Sequence, residues 1–171
     1  TDCGRDRNDE LSMGGGYANT VSALFRLQHP EMLVRFINKG IGGDQTVHIL
    51  KRLHPDVLDL QPNIVTLCIG INDVLRSFYC PCTRSGLSAE QYRANMEEII
   101  RQILQADIQL LLMPPFMIDT NPIEPMRLQM LEFAAICKEL AQKYHLELLD
   151  LQTLFENLIQ SGIYSYELST D

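Results

Sequence analysis

A capped stripe of helical period over residues 88–104 lies between two short apolar runs, 63–69 and 108–113, and this order restricts the fold more than any other feature. Ser88 and Gln91 match a capping box, and behind them Tyr92, Met96, Ile99, Ile100, Ile103 and Leu104 recur with a 3.6-residue period. The flanking runs are too short for helices and read as strands, the second stopped by Pro114-Pro115. Strand, helix, strand implies a right-handed crossover between parallel strands. The same alternation extends outward. Tyr17, Val21, Leu24, Phe25 and Gln28 predict a helix after Gly14-Gly15-Gly16, ended by Pro30, with its apolar face toward a core. Residues 33–37 predict a strand; Val47, Ile49, Leu50 and Leu53 a short helix stopping before His54-Pro55; and 56–60 a helical turn. Met126, Met130, Phe133, Ala134, Cys137 and Ala141 predict a long helix, 146–150 a strand and 151–160 a final helix. The expected class is α/β, a three-layer α/β/α sandwich around a central parallel sheet, with 63–69 as a central, buried strand. Residues 1–171 are expected to form a single domain.

The net charge of −8 and pI near 4.9 argue against phosphate-backbone binding, and no basic stripe appears in the sequence, so no nucleic-acid partner is expected. Apolar runs such as 108–116 are far shorter than the ~20 residues of a membrane span. Five cysteines, an odd number without framework spacing, predict reduced thiols in a cytoplasmic protein, although a removed leader would alter that location. Cys80-Pro81-Cys82 has no second pair to complete a zinc site, and no His-x-x-x-His or paired carboxylates appear, so no metal is expected. Gly14-Gly15-Gly16 lacks both phosphate-loop and dinucleotide fingerprints, and no cofactor is expected.

Two strand-ending turns carry small and amide residues. Gly70-Ile71-Asn72-Asp73 follows the run 63–69, and Gly40-Ile41-Gly42-Gly43-Asp44 follows 33–37. Ligands collect at the carboxyl ends of strands in open α/β sheets, and an oxyanion site there needs backbone N–H groups and non-titrating donors. A side-chain amide donates without changing charge over the working pH. Read alone, the glycines permit tight turns, and Asn and Asp favour turns and helix starts.

Together these turns resemble blocks II and III of the SGNH (GDSL) hydrolases, a family of serine esterases, and the chain ends extend the resemblance. Residues 1–9 look like those following the family's Gly-Asp-Ser-Ile nucleophile motif, and Ser169-Thr170-Asp171 like the start of its Asp-x-x-His block. The resemblance implies a flavodoxin-like SGNH hydrolase fold. It assigns Gly43 as a backbone oxyanion donor, Asn72 as an amide oxyanion donor, and Asp171 as the carboxylate orienting the catalytic His. The expected nucleophile Ser and base His fall outside the 171 residues, so the intact protein is the expected enzyme. It implies a small-molecule acyl ester substrate, acetylated carbohydrate included. Asp73 is expected to cap or brace the segment after it, and Arg76 and Phe116 follow strand ends without an assigned role. His29, His48, His54 and His145 are expected to be structural or superficial. The segment 78–82 matches no block of the family. The rival functions are a non-catalytic SGNH-fold module binding a glycan or protein, decided by the residue two positions before Thr1, and a flavin or nucleotide binder, which would need a phosphate loop.

Overall fold

The structure, a computed structural model, describes residues 4–79, 86–118 and 124–162. Its backbone groups into two compact units, Thr1–Gly43 and Asp44–Asp171.

In the first unit, helix α1 spans Tyr17–Gln28 and ends where His29 N–H returns to the Phe25 carbonyl, just before Pro30. The helix forms as expected, but its apolar residues do not face a core. Tyr17, Val21 and Leu24 are exposed, and Ser22 is buried instead. Residues 33–37 also depart from expectation: they are extended but belong to no strand, and Leu33 is fully exposed. A strand exists only as a hydrogen-bonded ladder, and this run has no ladder partner among the described residues. Its local contacts are Phe36 edge-on to Phe25, at 5.6 Å, and the Arg26 guanidinium over the Phe36 ring. Beyond it, the chain is tied by side chains. Asn38, buried, donates to the Met13 carbonyl and accepts from Gly40 N–H, both at 2.9 Å, while Arg5 reaches the Gly40 carbonyl at 2.8 Å.

The second unit carries the parallel sheet. Strands β1 (Ile64–Cys68), β2 (Gln109–Met113) and β3 (Glu147–Leu148) lie in that order and all pair in parallel. The α/β class with a parallel sheet therefore holds, but β2 is the middle strand and β1 an edge among the described residues. Ile64 and Thr66 on β1 are exposed, which corrects the expected central, buried placement. An apolar run reports average burial, not its position in a sheet. The register Val65↔Leu110 and Leu67↔Leu112 puts these residues side by side on one face.

Helices α4 (Ala89–Gln105) and α5 (Pro125–Tyr144) pack on that sheet and on each other, with α2 (Thr46–Asp56) against α4 and α3 (Ile71–Tyr79) against α5. Both bonds of the predicted capping box start α4: Ser88 accepts from Gln91 N–H, and the Gln91 side chain accepts from Ser88 N–H. Tyr92, Met96, Ile99, Ile100 and Ile103 are buried against Met130, Phe133, Cys137, Leu140 and Ala141 of α5. Tyr92 stacks on Phe133 with centroids 4.2 Å apart. Two local expectations change, while the helical turn expected over 56–60 is present. Helix α2 continues through Pro55, which removes a single donor in its last turn, and a short 3₁₀ turn, Leu58–Leu60, follows. The expected strand 146–150 shortens to Glu147–Leu148. His145 takes a left-handed cap after α5, and Asp150 caps α6 (Leu151–Gln160) by accepting from Thr153 N–H.

Between β1 and α3 the chain passes through Gly70, which is buried with φ +131°. A Cβ there would lie 2.8 Å from Tyr92 Oη and 3.0 Å from Pro115 Cγ. Gly70→Ala is expected to destabilise the fold by at least about 1–3 kcal/mol, through overpacking added to backbone strain. Urea unfolding measures it, and wild-type stability would show that this junction is not tight.

Candidate active site

Strand β1 delivers its carboxyl end directly into a helix. Gly70 O accepts from Val74 N–H at 3.2 Å, so the strand-ending turn Gly-x-Asn-Asp is a helix start, with Asn72 and Asp73 in the first turn of α3. Tyr92 fixes the approach by donating its hydroxyl to the Ile69 carbonyl at 3.1 Å, with Cys137 Sγ also 3.1 Å away. The two polar side chains of this turn emerge where helical N–H groups have no intrahelical acceptor, at the positive end of the helix dipole.

Both side chains reach back to one segment, Asp44–Thr46. Asn72 Nδ2 donates to the Asp44 carbonyl at 3.1 Å. Asp73, completely buried, accepts Thr46 N–H on both carboxylate oxygens (3.0 and 3.2 Å) and the Thr46 hydroxyl at 2.8 Å. Asn95 of α4 donates to that same hydroxyl at 3.0 Å. Asp73 thus braces a segment 27 residues before it, which corrects its expected role in the segment after it. The segment is held from its other side as well. Asp44 pairs with Arg52 at 2.8 Å, Arg52 pairs with Asp56 at 2.7 Å, and Gln45 N–H donates to His48 Nδ1 in the cap of α2. Sequence reading missed Thr46 and Asn95. The available signal was Asn95 itself, a polar residue three positions after Tyr92 on the flank of the buried stripe.

The remaining expected residues fall as follows. Gly43 ends the first unit with φ +85°, and a Cβ there would meet open space, so backbone conformation rather than packing requires glycine. Asp171 lies outside the described residues, as does Cys80-Pro81-Cys82. Arg76 lies in the last turn of α3. Phe116, after β2, stacks on Phe155 of α6 at 5.2 Å, and neighbouring Met117 N–H donates to buried Gln152 at 2.9 Å. Cys68 and Cys137 are free thiols, and burial pushes both up, Cys137 to about 11, which keeps them protonated and poorly nucleophilic. Among the described residues, no group of three His, Cys, Asp or Glu side chains is placed to hold a metal, and no helix is long and apolar enough to cross a membrane.

A parallel α/β fold with an amide and a buried carboxylate at the carboxyl end of a strand is the setting that the resemblance to SGNH-type hydrolases leads one to expect. The sequence profile of the GDSL-like lipase/acylhydrolase family matches residues 4–166, and the chain belongs to that family. It is 30% identical over 176 residues to an acetylxylan esterase of Geobacillus stearothermophilus, covering 100% of this chain and 80% of the relative. The crystal structure of that organism's acetylxylan esterase Axe2 superposes with a TM-score of 0.91 at 30% identity, covering 100% of this chain and 80% of that one. LAE5, an α/β hydrolase enzyme from the metagenome of Lake Arreo, gives a TM-score of 0.93 at 28% identity, covering 100% and 81%.

Burial pushes the Asp73 carboxyl above its ordinary value of 3.8, against the downward pull of the Thr46 hydroxyl and N–H and of nearby His48. With the folded pKa above the unfolded one, the folded state binds the proton more readily. This group's contribution to stability is therefore fully present below pH 3.8 and is lost as pH rises through the folded value. The melting temperature of Asp73→Asn relative to wild type should accordingly rise from about pH 4 upward and then level off. Thermal melts across pH test this, and a gap that moves the other way would mean that the hydrogen bonds outweigh burial.

Proposed function

We propose that the intact protein is a serine esterase that removes acetyl groups from xylan-type oligosaccharides. The observation that carries this reading is the anchoring of Asn72: one N–H of its amide is committed to the Asp44 carbonyl, at the carboxyl end of β1. A primary amide has two N–H donors, and the second donates to the oxyanion of the tetrahedral intermediate. The backbone N–H of Gly43 is a further donor in this reading. The nucleophile is a Ser two positions before Thr1, and Asp171 orients a His three residues after it, which takes the Ser proton and passes it to the leaving alcohol. Support for that spacing comes from Axe2, whose catalytic mutants include an aspartate and a histidine three residues apart, besides a serine. Support for the substrate class comes from the same relative, an acetylxylan esterase and acetyl-xylooligosaccharide esterase.

Labelling of the full-length protein with a fluorophosphonate probe should give an adduct on the Ser before Thr1, and acetate should be released from acetylated xylo-oligosaccharides. A folded protein that takes no label would be a binding module instead. Removing the amide in Asn72→Ala is expected to lower kcat by roughly 10²–10³, about 2.7–4 kcal/mol of transition-state stabilisation, with the circular dichroism spectrum unchanged. Wild-type turnover in that variant would remove Asn72 from the oxyanion site.

A further inference from the structure

Asn72 and Asp73 are neighbours on one helical turn, yet they hold opposite ends of the same three residues. Asn72 takes the carbonyl of Asp44, and Asp73 takes the N–H and hydroxyl of Thr46. The Asp44 carbonyl that orients the Asn72 amide is therefore placed by the residue two positions along, which Asp73 grips. We propose that Asp73 is a positioning residue for ester hydrolysis, setting the Asp44–Thr46 backbone through Thr46 and thereby aiming the Asn72 amide at the oxyanion. The proposal rests on the esterase reading above.

Stability alone does not account for a carboxylate here. The side chain is completely buried, its hydrogen bonds come from neutral donors, the N–H and hydroxyl of Thr46 and its own backbone N–H, and an amide of equal size would fill the space without burying a charge. A carboxylate differs from an amide in being acceptor-only. It forces the Thr46 N–H and O–H both to point at α3 and leaves the hydroxyl oxygen to accept from Asn95. The result is a chain with one direction, from the Asn95 amide to the Thr46 hydroxyl to the Asp73 carboxylate. An amide at position 73 would keep its oxygen on the Thr46 N–H and O–H but would set its NH2 where Oδ2 now accepts Thr46 N–H at 3.2 Å, donor against donor. The Thr46 N–H would be pushed aside, and the Asp44–Thr46 segment would gain a second arrangement.

The test compares full-length wild type, Asp73→Asn, Thr46→Val, Thr46→Ser and Asn72→Ala by kcat and KM on a chromogenic acetyl ester and by inhibition with phenylboronic acid, which becomes a tetrahedral anion on the nucleophile. A displacement of an oriented donor by an ångström costs on the order of 10²-fold, so Asp73→Asn should lower kcat by up to about that factor with KM nearly constant. Boronate affinity should fall in step with kcat, whereas the melting temperature should not fall. Thr46→Val should lose turnover likewise, and Thr46→Ser should restore it. Wild-type kcat in Asp73→Asn, with Asn72→Ala impaired, overturns this proposal and leaves the esterase reading standing. Full turnover in Asn72→Ala overturns the reading itself. Should Asp73→Asn fail to fold, the Thr46 pair decides: unimpaired kcat in folded Thr46→Val overturns the proposal.

Discussion

The hydrogen bonds from Thr46 to the buried carboxylate of Asp73 join two parts of the second unit that sequence separates by 27 residues. A buried carboxylate in a low-dielectric interior is costly unless its lone pairs are filled, and filling them fixes the donors in space. Thr46 begins α2, so the carboxylate fixes the start of that helix as well as the segment before it. Asn72 then adds a bond to the Asp44 carbonyl that the Thr46 contact has already brought into place. The geometry of the amide is a consequence of the carboxylate beside it.

That arrangement needs α3 to begin at a defined point, and the core supplies it. Tyr92 is stacked on Phe133 and wholly buried, which leaves its hydroxyl little freedom. The hydroxyl meets the Ile69 carbonyl at the end of β1, one residue before Gly70. Gly70 can follow because its positive φ and missing Cβ allow the chain to turn against Tyr92 and Pro115. Packing between α4 and α5 is transmitted through one phenol to the place where the helix bearing Asn72 and Asp73 starts.

Elements whose burial is decided locally were legible in the sequence. The capping box at Ser88 and the six apolar positions of α5 mark their helices because periodicity and cap chemistry are properties of a short window. Residues 33–37 and the face of α1 misled for the same reason: apolar composition says that burial is favourable, not that a partner is present. The edge placement of β1 among the described residues was likewise invisible, because strand order belongs to the whole sheet. At the site, the motif singled out Asn72, but the helical setting of Gly-x-Asn-Asp and the reach of Asp73 to Thr46 needed three dimensions. Two polar residues far apart in sequence carry no mark that they will share a proton.

The same contrast separates reaction from substrate. Of the groups assigned to the chemistry, Asn72 sits where strand β1 passes into α3, beside Asp73, an environment determined by the sheet and by Tyr92. Groups suited to choosing among acyl esters belong to the segments that follow strands, where side chains are free to vary without disturbing the ladder. In this chain one such segment is itself firmly held. Phe116 stacks on Phe155, Met117 is bonded to Gln152, and Gln152 leans on Glu156, which is paired with Arg127. Four side chains of α5 and α6 are thus spent on orienting Phe116 and Met117. Residues pinned in this way move less than unsupported loop residues would.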